Sequence, residues 1–191
     1  MSNKSEILSN LRRHINQTYD MPEIRIDAIQ YNNKIDQFVE ISKGVGGNAV
    51  VLGEGEDLNS CIKNLYPEAK NIASNLPEIS IATIDPDTKE AHDLNGTDLS
   101  VVRGELGVAE NGCVWIPQNV KERVLYFISE YLIIILDKNK IVNNMHEAYE
   151  QIQFSDKGYG VFISGPSKTA DIEQALVVGA HGPKGLTVIL V

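Results

Sequence analysis

The chain has 191 residues, 42% hydrophobic and 23% charged, which is ordinary for a globular protein of one domain. Its 17 basic and 26 acidic side chains give a formal net charge of −9 with histidine neutral. This acidic balance opposes binding to nucleic acid or to an anionic lipid surface, so any anion-binding site must be local.

The start of the chain lacks the apolar core of a signal peptide, and the longest apolar run, residues 132–136, is too short to span a bilayer. The sequence therefore predicts a soluble, cytoplasmic protein without a membrane partner. Neither Cys61 nor Cys113 belongs to a C-x-x-C motif. Because an iron–sulfur cluster commonly needs four cysteine ligands, we expect this chain alone to bind no cofactor. The histidines show no paired ligand spacing, so no metal site is expected either.

The N-terminal part of the chain is predicted to be helical and then to form a strand-to-helix unit. Residues 3–17 carry apolar residues on one face, which predicts an amphipathic helix, and residues 33–42 predict a second. Both belong to a helical segment at about residues 1–45. A buried strand is predicted at residues 49–52, followed by a helix over residues 58–65.

The loop between that strand and helix begins Gly53-Glu54-Gly55. Strand, Gly-x-Gly and helix form part of a dinucleotide-binding pattern, but the third glycine of that pattern is absent. Glu56 and Asp57 also crowd the helix start. The sequence favours an ordinary turn with an acidic helix N-terminus over a nucleotide site.

The centre of the chain is predicted to form two strands and a hairpin. Residues 69–74 and 99–103 are strand candidates, separated by a turn-rich connection. Residues 106–109 and 113–116 flank Glu110-Asn111-Gly112, the strongest hairpin signal in the chain. This turn would place Glu110 and Asn111 at the hairpin tip.

Helices and strands alternate again in the second half. A helix is predicted over residues 118–129, a buried strand over 131–136 and a helix over 141–152. Together with the N-terminal unit, this order predicts an α/β fold with a largely parallel sheet, helices on both faces and an inserted β-hairpin. We expect a single domain over residues 1–191.

The C-terminal stretch, residues 162–191, reads FISGPSKTADIEQALVVGAHGPKGLTVILV. It predicts a strand, a polar loop, a helix over residues 172–179 and a buried strand over residues 186–191. The loop would offer two hydroxyls, an ammonium and backbone N–H groups at a helix start, where an anion is favoured. Ligands in open α/β sheets usually sit at such strand-to-helix loops.

Two motifs in this stretch resemble those of the LUD-domain family, in its lactate-utilisation protein C group. GPSKTADIE is followed by HGP and a final LTVILV, and the family ends in a closely similar pattern. Upstream, VAENGCV resembles the family's AETGT segment, with Asn111 and Cys113 in place of two threonines. The resemblance implies an architecture similar to the sugar-phosphate isomerase and CoA-transferase group.

The candidate ligand-binding residues come from both regions of resemblance. They are Gly165, Ser167, Lys168, Thr169, Asp171 and Asn111. A small carboxylate or phosphate is the expected ligand, bound through charge-assisted hydrogen bonds. The alternative for the loop is a helix cap with an exposed lysine, in which Asp171 compensates the helix dipole.

Glu110 and His181 are the candidate catalytic residues. A glutamate at a hairpin tip can act as a base or covalent nucleophile, and its alternative role is that of a solvated turn residue. His181 is a candidate general acid or base, although a structural role bonded to backbone is favoured. Cys113 has no basic neighbour in sequence and is expected to be inert.

Three functional hypotheses remain open. The family resemblance implies a component of the L-lactate utilisation system, which oxidises L-lactate to pyruvate together with iron–sulfur oxidoreductase subunits. On this hypothesis the chain is a subunit or accessory, not a complete enzyme. The second is a stand-alone acyl- or CoA-transferase with Glu110 as nucleophile, which rests on fold analogy. The third is a non-catalytic ligand-binding domain.

Overall fold

A five-stranded parallel sheet forms the centre of the protein in the computed structural model. The structure describes residues 3–15, 20, 26–154, 156, 158–170, 176–179 and 181–191. Its helices are α1 (Asn3–His14), α2 (Lys34–Gly44), α3 (Leu58–Leu65), α4 (Leu125–Ile128) and α5 (Met145–Gln151). Its strands are β1 (Asn48–Val51), β2 (Ile72–Ala73), β3 (Leu99–Arg103), β4 (Leu106–Val108), β5 (Val114–Pro117), β6 (Tyr131–Leu136), β7 (Ile141–Val142), β8 (Gly160–Ile163), β9 (Lys168–Ala170), β10 (Leu176–Val178) and β11 (Gly185–Leu190).

The strands of the parallel sheet follow the order β1-β11-β6-β3-β2. The final strand β11 therefore lies between β1 and β6, with Val188 level with Ala49 and Ile134. Such an interior strand is buried on both sides, which explains its continuous apolar sequence. The predicted strands at both ends of the chain and the largely parallel sheet are confirmed.

Different elements cover the two faces of this sheet. Odd-numbered residues of β6 belong to a hydrophobic cluster that includes Ile62 of α3. Even-numbered residues of β6 belong to a second cluster, which includes Phe38 of α2, Tyr126 of α4 and Ile116 of β5. The prediction of helices on both faces is therefore confirmed, and on one face a second sheet contributes as well.

The predicted hairpin forms β4 and β5, which pair antiparallel with Leu106 opposite Trp115. It is part of a four-stranded sheet with the order β7-β4-β5-β8. The crossing from β3 into this sheet requires a glycine, since a Cβ on Gly104 would lie 2.3 Å from Val114 Cγ1 and 2.9 Å from Ile134 Cγ2. The two sheets thus pack closely at the end of β3.

The prediction of a helix over residues 172–179 is wrong for residues 176–179, the part of this range that the structure describes. Residues 176–178 form β10, which pairs antiparallel with β9. The valines at 177 and 178 favour a strand over a helix, and the helical period was supported by only a few positions. β8 also departs from expectation, since it pairs with β5 and does not join the parallel sheet.

Two further helices are shorter than predicted. The segment 118–129 is α-helical only over α4. The helix predicted over residues 141–152 begins at Met145, because Asn144 caps it by accepting the backbone N–H of Glu147 at 3.1 Å. Ile141 and Val142 form β7 instead. No helix in the described part of the chain is long and apolar enough to cross a membrane.

The helices near the N-terminus agree with the sequence. α1 covers most of the predicted residues 3–17, and residues 16 and 17 lie outside the described part. Asn33 caps α2 by accepting the backbone N–H of Ile35 at 3.1 Å and of Asp36 at 3.2 Å. Asp57 caps α3 in the same way through Ser60 at 2.8 Å. The acidic residue at that turn therefore serves the helix, as the sequence favoured.

Asp98 fastens the beginning of β3 to the chain that precedes β2. Its carboxylate accepts the backbone N–H groups of Lys70 and Asn71, each at 2.8 Å. These hydrogen bonds, that of Asn71 first, hold the pKa of Asp98 below its ordinary value. A carboxylate whose pKa is lower in the folded state stabilises the protein at pH values above its unfolded-state pKa of about 3.9. This stabilisation is lost as the pH falls through the folded-state pKa.

We therefore expect Asp98→Asn to lower the free energy of unfolding by about 1 kcal/mol at neutral pH. The difference from the wild type should shrink as the pH falls below about 4. Urea unfolding between neutral and acidic pH measures both, with Glu40→Gln on the exposed side of α2 as the control. A wild-type advantage that stays constant down to the lowest pH would contradict the role of the Asp98 carboxylate.

Candidate functional site

Three segments that are distant in sequence meet at one end of the parallel sheet: the hairpin tip, the turn after α2 and the loop after β8. The Ser164 hydroxyl donates to the Asn111 carbonyl at 2.8 Å. A Cβ on Gly112 would lie 3.3 Å from Ser42 Oγ, and one on Gly47 would lie 3.3 Å from the Gly165 Cα. Most of the predicted ligand-binding residues are thereby brought into one region.

This region lies at the amino ends of the parallel strands. Gly47 directly precedes β1, and a Cβ on it would also lie 3.3 Å from the carbonyl oxygen of Leu186 at the start of β11. The expected position was a strand-to-helix loop, which in a parallel sheet lies at the carboxyl ends. That expectation is wrong, because β8 belongs to the other sheet and β9 follows the loop.

A cavity of about 310 Å³ opens in this region, between β8, α4 and the start of β11. We call it the His181 cavity. It is lined by residues 161–168 and 181–183 together with Tyr126, Phe127, Leu132 and Leu186. The predicted residues Gly165, Ser167, Lys168 and His181 all contribute to its wall.

The charges at the His181 cavity favour an anion. Lys168 supplies a cation and His181 an imidazole, and both are exposed to solvent. Among the described residues that line the cavity there is no aspartate or glutamate. The chain as a whole carries a net charge of −9, so a cavity whose described lining contains no carboxylate differs from the rest of the protein. A carboxylate or phosphate there is attracted by Lys168 and meets no fixed negative charge from the lining residues within the described ranges.

Lys168 is held by the end of α2. Its ammonium donates to the carbonyl oxygen of Val45, the C-cap residue of that helix. A cation is favoured at a helix C-terminus, where carbonyl groups lack partners. An ammonium has three N–H donors, so one such bond leaves others available to a ligand. This contact differs from the helix cap considered as the alternative, in which the loop would cap the start of a following helix and the lysine would be exposed.

The two family-like motifs lie against each other. The backbone N–H of Ser167 donates to the Pro183 carbonyl at 2.8 Å, and the Ser167 carbonyl accepts from Gly179 at 2.9 Å. A Cβ on Gly182 would lie 3.1 Å from Ser167 Cβ. GPS and HGP therefore form a single wall of the cavity, and the serine is fixed by backbone bonds.

Gly165 is required where it stands. Its φ of 66° lies in the left-handed region, and a Cβ would lie 2.9 Å from the Val45 carbonyl oxygen. Thr169 lies in β9. Asp171 lies outside the described residues.

Glu110 is turned away from the cavity. Its carboxylate accepts the backbone N–H of Met145 at 3.0 Å, and its own N–H donates to the Asn143 carbonyl at 2.9 Å. It is thus bonded to the first residue of α5 and does not line the His181 cavity. The structure does not bring the two candidate catalytic residues together, and the catalytic role of each stays a prediction.

Asn111 shapes the hairpin tip. Its side-chain oxygen accepts the backbone N–H of Cys113 at 3.1 Å, which fixes a local turn. It contributes to the region through its backbone and does not line the cavity itself. Burial raises the pKa of the Cys113 thiol, which favours the unreactive thiol form expected from the sequence.

Some residues of the region were missed by sequence reasoning. Tyr126 lines the cavity, and burial raises its pKa to about 12, so its hydroxyl stays protonated. Val45 and Ser164 also contribute, through the contacts already described. The cluster Gly46-Gly47 was the one available signal, because adjacent glycines often mark a close approach of backbone. In the described residues, no group of three or more potential ligands could hold a metal ion.

The LUD domain family matches residues 35–191 of the chain. An uncharacterised protein of Neisseria meningitidis serogroup B is 30% identical over 148 residues, which are 72% of this chain and 63% of that protein. Lactate utilization protein C of Geobacillus thermodenitrificans is 36% identical over 49% of this chain and 42% of its own length. The protein of the same name from Shouchella clausii is 38% identical over 45% and 40%.

A solved structure shares the fold. The crystal structure of a DUF162 family protein from Deinococcus radiodurans superposes with a TM-score of 0.68, over 85% of this chain and 99% of that one. Its sequence identity is 17%, so this likeness concerns the fold alone. The matches to the lactate utilization proteins span less than half of those relatives. The match over residues 35–191 shows that the chain belongs to the LUD domain family.

Proposed function

We propose that the chain acts in lactate utilisation and binds a small carboxylate, lactate or pyruvate, in the His181 cavity. Relatives named lactate utilization protein C support the general role. The observation that supports the ligand is the wall formed by GPSK and HGP, which joins a lysine and a histidine, with no aspartate or glutamate among the lining residues that the structure describes.

The chemistry of the wall suits a small hydroxy acid. The Lys168 ammonium can attract the carboxylate, and the Ser167 hydroxyl can donate to the same group. His181 can accept the C2 hydroxyl proton when its ring is neutral. A volume of about 310 Å³ is at the lower end for ligand sites, which fits a molecule of few atoms.

Oxidation of lactate to pyruvate releases two electrons and two protons, so the electrons need an acceptor. Cys61 and Cys113 are the cysteines of this chain, fewer than a cluster commonly needs. We therefore infer that iron–sulfur partner proteins take the electrons. The transferase alternative has weaker support, because Glu110 is bonded to α5 and is not in the cavity wall.

Lys168→Gln tests the ligand. If the ammonium binds the carboxylate, the change removes a charge-assisted hydrogen bond and weakens L-lactate binding about tenfold or more. Calorimetric titration with lactate and pyruvate measures the affinity, and thermal unfolding without ligand reports the cost of losing the bond to Val45. Lys43→Gln, at an exposed lysine in the last turn of α2, is the control. Equal lactate affinities in wild type and Lys168→Gln would reject the site.

A second prediction concerns electron transfer. The purified chain should contain neither iron nor acid-labile sulfide, and should not reduce an artificial acceptor with L-lactate, since electrons need a carrier. Elemental analysis and a dye-reduction assay measure this. Stoichiometric iron, or turnover by the chain alone at enzyme rates, would overturn the partner-subunit role.

A further inference from the structure

Helix α1 is exposed along its whole length. Every residue from Lys4 to Ile15 is exposed, and the four large aliphatic side chains among them recur at helical spacing on one side: Ile7, Leu8, Leu11 and Ile15. An isolated helix of 12 residues is marginal in water, because packing of the apolar face supplies most of the stability of such a helix. The apolar side of α1 therefore calls for a partner surface.

The outer face of the sheet β7-β4-β5-β8, which turns away from the parallel sheet, is covered only in part by the described residues. Four strands about 4.8 Å apart make a face roughly 15–20 Å wide, whereas one helix is about 10 Å wide. Helix α5 has seven residues and packs mainly over β4 and β7. The half of this face over β5 and β8 thus has no helix on it in the described part of the protein.

Aromatic side chains occupy this uncovered half. The ring of Trp115 on β5 contacts the ring of Phe162 on β8, with 5.0 Å between centroids, and the ring of Phe154 at 5.6 Å. Tyr149 contacts Phe162 at 5.9 Å. Phe154 is 65% exposed and Tyr149 is 64% exposed. We call Tyr149, Phe154 and Phe162 the aromatic face. A contiguous apolar patch on a protein surface commonly marks an interaction site.

The charges beside these two surfaces are opposite. Helix α1 has three basic residues and one acidic residue, a sum of +2: Lys4, Arg12, Arg13 and Glu6. Because the whole chain sums to −9, the remaining residues sum to −11. Next to the aromatic face, α5 carries Glu147 and Glu150 and has neither lysine nor arginine. Opposite charges around two apolar surfaces favour their encounter and orient it.

We propose that α1 of one copy docks on the aromatic face of a second copy, beside α5, and that the two copies exchange α1 reciprocally. Within one chain every α1 residue stays exposed, so the chain's own aromatic face does not cover it. The 11 residue steps from Ile15 to Ile26 can span at most about 40 Å, which is enough to reach a neighbouring copy. This contact is independent of the proposed carboxylate ligand.

Reciprocal exchange also supplies the area that a stable dimer needs. A half-exposed Leu or Ile side chain presents roughly 100 Å² of apolar surface. With four such side chains on each α1, and an equal area on each receiving face, two docked helices bury on the order of 1,600 Å², the standard size of a stable interface. A single docked helix would bury about half of that, as crystal-packing contacts do. A two-fold symmetric pair is therefore favoured over a one-way contact.

Sedimentation of the full chain tests the dimer. We expect a mass twice the 21.1 kDa of one chain at protein concentrations of about 1–100 μM. Leu11→Gln and Phe154→Gln should each weaken the dimer at least tenfold, because each change places a polar amide in both symmetric contacts. Ser9→Gln, on the polar side of α1, and Val51→Gln, at an exposed valine of β1, are the matched controls and should dimerise like the wild type.

Mixing the two weakened variants tests which surfaces meet. Leu11→Gln keeps an intact aromatic face, and Phe154→Gln keeps an intact α1. A mixed pair therefore contains one unaltered contact between α1 and the aromatic face, which neither variant can form alone. We expect the average mass to rise on mixing at a concentration where each variant by itself is mostly monomeric.

Three outcomes would overturn the proposal. The first is a monomeric wild type over the whole concentration range, including one whose α1 binds anionic lipid vesicles instead. The second is a dimer that Leu11→Gln weakens and Phe154→Gln does not, which would mean that two α1 helices pair with each other. The third is a mixture of the two variants whose average mass stays at that of the separate proteins.

Discussion

The burial of β11 between β1 and β6 is the constraint on which the rest of the structure depends. The chain must return to the amino end of a strand whose residues Val188, Ile189 and Leu190 are fully buried. Parallel neighbours cannot be joined by a tight turn, so a long connection from β6 to β11 is unavoidable. Here that connection includes β7, α5 and β8 before it reaches the loop of the His181 cavity. The position of this cavity at the amino ends of the strands is a consequence of that return.

Sequence alone was sufficient where a pattern is local and strong. β3 and β6 were predicted with their observed bounds, because each is a short, mostly apolar run that follows an acidic residue. The hairpin followed from Asn111-Gly112, and Gly112 does adopt a positive φ of 67°. The acidic turn that contains Asp57 likewise indicated a helix start, and the Asp57 side chain caps that helix within its own segment.

Where tertiary partners decide, the sequence was not sufficient. Val161 to Ile163 reads as a buried strand in either sheet, and only its pairing with β5 assigns it to the second one. The bond from Lys168 to Val45 joins residues 123 positions apart, which no local pattern indicates. The contact between Ser167 and Gly182 was not predicted either. The two motifs that contain these residues are adjacent in space, but in sequence they are separated by a segment that was predicted to be a helix. The sequence thus indicated several residues of the candidate site from their chemical type, but it did not indicate how these residues are arranged in space.

The capping of α2 by Lys168 bears on how an anion would be recognised. A free lysine loses up to about 2 kcal/mol of side-chain entropy when a ligand immobilises it, which weakens a surface ion pair. In this protein the Val45 carbonyl already restrains the ammonium in the folded chain, so part of that cost is met before any ligand arrives. The partner of this ammonium among the described residues is a neutral carbonyl, which does not cancel its positive charge, whereas a carboxylate partner, such as Glu130 for Lys184, would neutralise it. Lys168 is therefore held in place by the end of α2 while its ammonium keeps its positive charge, so the capping contact is compatible with the proposed role in anion binding.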